Sequence, residues 1–368
     1  MPSMSRALTA LALGAALFGA AAPVADAAPS KPPRGFYGVM WDRAATRAPD
    51  AEQDEQWALM AESGVESVRT VFSWAKAQPV EGTPPDLSET DERVALAARH
   101  NIKLLPIVID TPGWAARPPG PGAPPAHVGA YTAFLRTLVL RYGPTGSFWD
   151  EHPELPRRPL RDWQIWNEPH LGFYWNTEGR SPNAWAREYA RLLKASKRAI
   201  ESVDRRATIV LAALADFAWR HLDRLNRYRI RPSFDVAALN FFTSRPRNVI
   251  KGVRYFRRAL ARGHERRKPI WITETTWPAA RDRVPPPRPA WQRAWYTTDE
   301  GMASRLRGLY RVAARNRRKF RLNRVYWYTW SSAYEDGDLF DYAGLNRYSG
   351  GVFEPRPALE AFARSAQR

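Results

Sequence analysis

The chain has 368 residues and no cysteine, which excludes disulfide staples and thiolate metal sites and leaves a large core as the source of stability. A formal charge of +19 raises the question of a nucleic-acid partner. Acids are interleaved with the bases along most of the sequence and only Arg315 to Arg321 forms a dense basic run, so the distribution argues against nucleic acid and for a solvated basic surface of an arginine-heavy composition; an anionic glycan or cell envelope as nearby partner is the alternative reading.

After Arg6 the sequence is uncharged from Ala7 to Ala25, rich in Ala and Leu, and offers a small-x-small cleavage site at Ala25-Asp26-Ala27. This predicts a secretory signal peptide over residues 1–27, and therefore a secreted or extracytoplasmic protein. The run is too short to favour a membrane span, and no later stretch approaches the roughly 20 apolar residues a spanning helix needs.

Residues 28–368 read as one domain. Strand-length apolar runs alternate with helix-length amphipathic stretches, the pattern of parallel strands covered by helices. In chain order the predicted pairs are strand 36–41 with helix 51–63, then 67–72 with 88–100, where Asp86, Ser88 and Asp91 supply N-cap chemistry. Strand 102–109 is followed by a Pro-rich loop and helix 130–142. Strand 163–166 leads to helix 182–203, with Pro182 expected in its first turn. Next come 207–213 with 219–228, 234–242 with 249–262, 270–273 with 300–315, and 324–330 with 358–364. Eight such units predict an α/β fold of the (β/α)8 TIM-barrel type rather than an open doubly wound sheet, and no G-x-G-x-x-G follows the first strand. The Pro-rich stretches Pro112 to Pro125 and Pro285 to Pro289 each follow a strand and read as loops over one face.

Reactive groups in such barrels sit at the carboxyl ends of the strands. Two acids occupy that position, each flanked by Trp and Pro: Glu168 in Trp166-Asn167-Glu168-Pro169 and Glu274 in Trp271-Ile272-Thr273-Glu274, followed by Trp277-Pro278. Alone, a Glu after a strand reads as a capping partner or a surface charge. As a pair at one mouth they fit glycoside hydrolysis, in which one carboxyl protonates the leaving oxygen and the other attacks or activates water, at roughly 5 Å separation in retaining enzymes. Indole rings can stack on the flat C–H faces of a sugar. Trp330 and Trp114 are the platform candidates among 16 Trp, whereas Trp163, Trp166 and Trp271 read as core.

These residues carry a resemblance. Ile165 to Pro169 and Trp271 to Glu274 resemble the acid/base and nucleophile motifs of clan A glycoside hydrolases, the retaining (β/α)8 enzymes. Ser67-Val68-Arg69, read at the end of strand two, is similar to the clan's substrate-side arginine, and Trp74 with Gln78-Pro79 to the loop that follows it. Thr111 to Ala115 and Tyr326 to Trp330 resemble especially family 39, the xylosidase and iduronidase-like enzymes, or related family 5-type bacterial enzymes. The likeness extends along most of the mature chain and implies Glu168 as general acid/base and Glu274 as nucleophile. It also implies Asn167 on the sugar 2-hydroxyl and Arg69 beside Glu274, holding it ionised. The sequence departs from many relatives in strand six, where Asn240-Phe241-Phe242 replaces a His followed by Pro-Tyr. The tyrosine hydroxyl that bonds the nucleophile is then missing at Phe242 unless Tyr296 or Tyr328 substitutes.

The sequence predicts a carbohydrate substrate and no cofactor. The six His show no paired ligand spacing, and Asp336, Asp338 and Asp341 lack the spacing and terminal Glu of a calcium loop. Two other functions stay open: a barrel that binds a glycan without cleaving it, suggested by the strand-six departure, and a basic protein that adheres to polyanions.

Overall fold

The computed structural model describes residues 31–117, 119–281, 283–285, 293–335 and 337–367. The predicted signal peptide and Asp336 lie outside the described residues. Eight parallel strands form the barrel: β1 (Tyr37–Trp41), β2 (Ser67–Ser73), β3 (Lys103–Ile109), β4 (Asp162–Ile165), β5 (Thr208–Val210), β6 (Ala237–Asn240), β7 (Ile270–Thr275) and β8 (Leu322–Trp327). Neighbouring strands pair in the order β5-β4-β3-β2-β1-β8-β7-β6. Parallel bridges from Val210 to Val236 and from Leu214 to Leu239 nearly close the ring between β5 and β6. Outside lie α1 (Asp50–Glu62), α2 (Ser88–Arg99), α3 (Val128–Tyr142), α4 (Ala184–Glu201), α5 (Ala218–Asn226), α6 (Pro246–Arg262), α7 (Asp299–Phe320) and α8 (Pro357–Ala366). The fold is thus the (β/α)8 barrel that the alternating pattern predicts.

The differences from the predicted elements are local. Pro182 precedes α4, which starts after Asn183, so the proline sets the approach to the helix rather than its first turn. The last barrel strand ends at Trp327 instead of continuing to Trp330. Beyond it a small sheet of β9 (Ser331–Ser332), β10 (Asn346–Ser349) and β11 (Val352–Pro355) covers residues that carry no strong periodic signal. Among the described residues, no helix is long and apolar enough to cross a membrane.

Alternation along each strand divides the side chains between two environments. Val68, Trp163, Ile165, Ile209 and Ile272 pack outward under the helices. Leu105, Val210, Ala238, Trp271 and Tyr326 form a separate cluster inside the barrel. At the amino end the interior is sealed by Arg324, which lies 3.8 Å over the Trp271 ring and bonds Asp162 at 2.6 Å. Helices are tied to strands by buried phenols: Tyr131 of α3 donates to the Val108 carbonyl, and Tyr189 of α4 donates to Ile165 while accepting from the Ala212 amide. The second tie fixes the carbonyl immediately before the Trp166-Asn167-Glu168 segment.

Gly38 shows how tightly the interior is filled. A Cβ there would meet the Tyr326 ring at 2.5 Å and the Ser67 hydroxyl at 2.9 Å. Gly38→Ala should therefore lower stability by about 1–3 kcal/mol through overpacking. A denaturation midpoint equal to the parent's would show that the interior yields at no cost.

Candidate active site

Arg69 on β2 is fully buried. Its guanidinium bonds Glu274 at 2.5 Å from β7, Gln164 at 2.8 Å from β4 and Asn167 at 2.9 Å from just beyond β4. A buried charge is tolerated only when paired and hydrogen-bonded, and among the described residues Glu274 is the one carboxylate bonded to it.

Strict alternation would turn one of Thr273 and Glu274 outward. Both instead face the site, because the β6–β7 register shifts between Leu239 and Asn240 and the β7–β8 register shifts between Ile272 and Thr275. Such an irregularity re-aims a side chain. Thr273 bonds Asn240 at 2.9 Å while Glu274 reaches Arg69. After β4, Trp166 at φ 70° and Glu168 at φ 41° adopt left-handed backbone, which is costly for side chains with a Cβ and is typical of functional sites. The result is that consecutive residues Asn167 and Glu168 both turn to the mouth.

Asn240 links the two acids. Its amide nitrogen donates to Glu168 at 2.7 Å, and its oxygen is held by the Thr273 hydroxyl, which fixes the amide orientation. The same amide favours the charged form of Glu274. In strand six this chain thus has a neutral donor facing both carboxyls.

Burial drives the carboxyl of Glu168 up to about 8, and the nearby negative charge of Glu274 pushes the same way. Burial also raises Glu274, against the pull of Arg69. Arg69 lies beside Glu274 as expected and pulls its carboxyl down, while burial, the larger effect, raises it. Yet Glu274 has the fixed cation and Glu168 only a neutral amide, so Glu168 is the carboxyl whose charged form has the weaker support.

The platform candidates fare differently. Trp330 is fully buried and its indole donates to Gln56 of α1 at 3.0 Å, so it packs under a helix and offers no face to a sugar. Trp114 is half-buried in the loop after β3, edge-on to Trp74 and donating to the Gln78 carbonyl at 2.9 Å. Tyr296 does not replace the missing hydroxyl, since its own bonds the Pro285 carbonyl at 3.2 Å among Ala280 and Tyr342. The sequence reading missed Tyr174. Its phenol is raised by burial, feels the charges of Glu274 and Glu168, and bonds Asn167. The Trp166 indole donates to the Tyr174 carbonyl at 2.8 Å and holds that loop over the mouth. Tyr174 lies six residues past Glu168 with no motif to mark it. Among the described residues, no group of three or more His, Asp or Glu is placed to hold a metal, and Asp341 instead accepts from the amides of Ala333 and Glu335.

A family 39 glycoside hydrolase from Bacteroides cellulosilyticus is similar in structure, with a TM-score of 0.68 at 17% identity over 91% of this chain and 64% of that chain. The fold is shared with family 39. A monomeric beta-xylosidase from Caulobacter crescentus is similar at TM-score 0.64 and 16% identity, over 90% of this chain and 67% of that one. A family 1 β-glucosidase from Thermotoga maritima is similar at TM-score 0.62 and 11% identity, over 92% and 98%. The chain spans 64% and 67% of the two family 39-like and xylosidase chains, so the likeness concerns the barrel. No family model and no curated protein matches the sequence.

Because Glu168 is raised from 4.5 to about 8, the folded site keeps a proton that the unfolded chain releases between those values, and stability falls as pH rises through that window. Glu168→Gln keeps an oxygen for Asn240 and removes the ionisation. The variant should gain stability over the parent between pH 5 and 8, at up to about 1.4 kcal/mol per pH unit. Denaturation midpoints measured across that range check this, and parallel pH curves for parent and variant would contradict the raised value.

Proposed function

We propose that this chain is an exported retaining β-glycoside hydrolase. The observation that carries the reading is the asymmetric pair: a buried carboxylate fixed on a buried arginine, beside a second buried carboxyl that holds its proton near neutral pH. Glu168 protonates the leaving glycosidic oxygen as Glu274 attacks the anomeric carbon, giving a glycosyl-enzyme. Glu168, now ionised, takes a proton from water as the water oxygen bonds to the anomeric carbon and the bond to Glu274 breaks, which releases the sugar with its configuration retained. Arg69 stabilises the Glu274 carboxylate before attack and after its release. Asn167, held by Arg69, is placed for the 2-hydroxyl, a contact that strengthens as charge develops on the sugar. The similar structures, which include a beta-xylosidase and a β-glucosidase, support a carbohydrate substrate.

Glu274→Ala should abolish turnover of an aryl β-glycoside, and azide should restore it with inverted product. Glu168→Ala should lose about 10²–10⁴-fold, with azide giving the retained product. Activity near the parent's in either variant would refute the assignment, and a protein that binds glycans but cleaves none would be a binding barrel.

A second partner is favoured by the opposite end of the barrel. A cavity of about 440 Å³ there is lined by Arg34, Lys103, Arg157, Arg158, Arg161, Arg206 and Arg324 against Asp162. Asp150, Asp204 and Asp162 pair with Arg157, Arg161 and Arg324, while no ion pair engages Arg34, Lys103, Arg158 or Arg206 among the described residues. An anionic glycan would find four cations there. Binding of a uronate polymer should weaken sharply as salt shortens the Debye length from about 30 Å to about 8 Å, and Arg158→Ala with Arg206→Ala should weaken it at low salt. Affinity that is flat with salt would remove this partner.

A further inference from the structure

Near Glu168 lies a cavity of about 830 Å³ whose walls come from the segments following β4, β5, β6 and β7. His170 and Leu171 follow Glu168 by two and three residues, and Phe241 follows Asn240, which bonds Glu168. Asp216, also in the wall, is close enough for its charge to act on Glu168. The cavity therefore adjoins the proton donor, whereas Arg69 holds Glu274 from the β2 side. A general acid has to lie within hydrogen-bond reach of the oxygen it protonates, so the group attached to that oxygen leaves on the Glu168 side, into this cavity.

Its wall is unusual for this protein. The chain has 56 Lys and Arg, yet among the described residues no Lys, Arg, Asn, Gln or Glu lines the cavity. The wall is mainly Phe217, Trp219, Phe241, Phe242 and Trp295, with His170 and His221 stacked at 4.1 Å and with Asp216, Thr243 and Ser244 as its other polar side chains. Burial pushes both imidazoles down, to about 3 and about 4, so at neutral pH they are uncharged rings. Phe242 lies 5.7 Å from Trp295 and 5.1 Å from Phe340, which extends the aromatic surface toward β8. Phe217 is 53% exposed at the rim, and Phe173 in the β4 loop is 65% exposed. A second sugar would bring several hydroxyls against a wall that is mostly rings offering them no hydrogen bond, and hydroxyls withdrawn from water without partners are costly. Flat apolar rings meet complementary faces.

Resting on the glycosidase reading above, we propose that the natural substrate carries a neutral aromatic leaving group, seated between Phe217, Trp219, Phe242 and Trp295, rather than a further sugar. The volume is within the range of pockets that enclose molecules of several rings.

The test compares β-xylosides, β-glucosides and β-galactosides of 2-naphthol and of phenol, whose leaving groups have similar acidity, with the matching disaccharides. On whichever sugar is cleaved, the naphthyl glycoside should show a KM about tenfold lower than the phenyl glycoside, as expected for burying one more ring, and the disaccharide should be the poorest substrate. Phe217→Ser, a change in the proposed aromatic wall, should raise KM for the naphthyl glycoside severalfold and by more than it raises KM for the phenyl glycoside. Equal KM values for the two aryl glycosides, or a preference for the disaccharide, would overturn the aromatic leaving group while leaving the glycosidase intact. No cleavage even of dinitrophenyl glycosides, which need no proton donor, would overturn both readings.

Discussion

A guanidinium with no access to water organises the catalytic end of this barrel. Arg69 projects inward from β2, and a buried cation without partners would cost several kcal/mol. Its three partners come from β7, from β4 and from just beyond β4. They are thereby held at fixed distances from one another before any ligand arrives. Preorganisation of this kind keeps reacting groups in place without reorganisation during a reaction.

The distinction between the two acids follows from the same contact. Both are buried, and burial alone would raise both alike. Arg69 breaks the equivalence by bonding one of them, while Asn240 offers Glu168 only a neutral amide. Two carboxyls of one residue type are thereby given different surroundings, and a difference of that kind is how a single site can hold a nucleophile and a proton donor together. The strained backbone at Trp166 and Glu168 and the register shifts in β6 and β7 are the local costs of turning neighbouring residues into one mouth.

The barrel's two ends have separate tasks. At the amino end, Arg324 is neutralised by Asp162 and lies over Trp271, closing the interior. At the carboxyl end the loops carry the acids, Tyr174 and the aromatic cavity. Basic residues are spread over the outer surface, yet the cavity beside Glu168 is lined by none of them among the described residues. The charge that dominates the composition is thus kept away from the proposed leaving-group side.

Much of this was legible in the sequence because it depends on local periodicity. The alternation of apolar strands with amphipathic helices specifies a parallel barrel, and the positions of Glu168 and Glu274 at strand ends specify which face they share, whereas Arg69, expected at the end of its strand, lies within β2. Trp163, Trp166 and Trp271 could be assigned to the core because they lie in or beside strands. What the sequence could not decide was direction and partnership. Trp330 sits past the end of β8, where no period says whether a ring points to the mouth or, as it does, under α1 to Gln56. Tyr296 and Tyr174 are both loop tyrosines, and only the folded loops separate the one that bonds Pro285 from the one that bonds Asn167. The bridging role of Asn240, the balance of burial against charge at the two acids, and the cavity shared by four loops all arise between residues distant in the chain. Sequence spacing fixes where a side chain leaves the backbone, while its contacts and its proton affinity are set by whatever the tertiary structure packs against it.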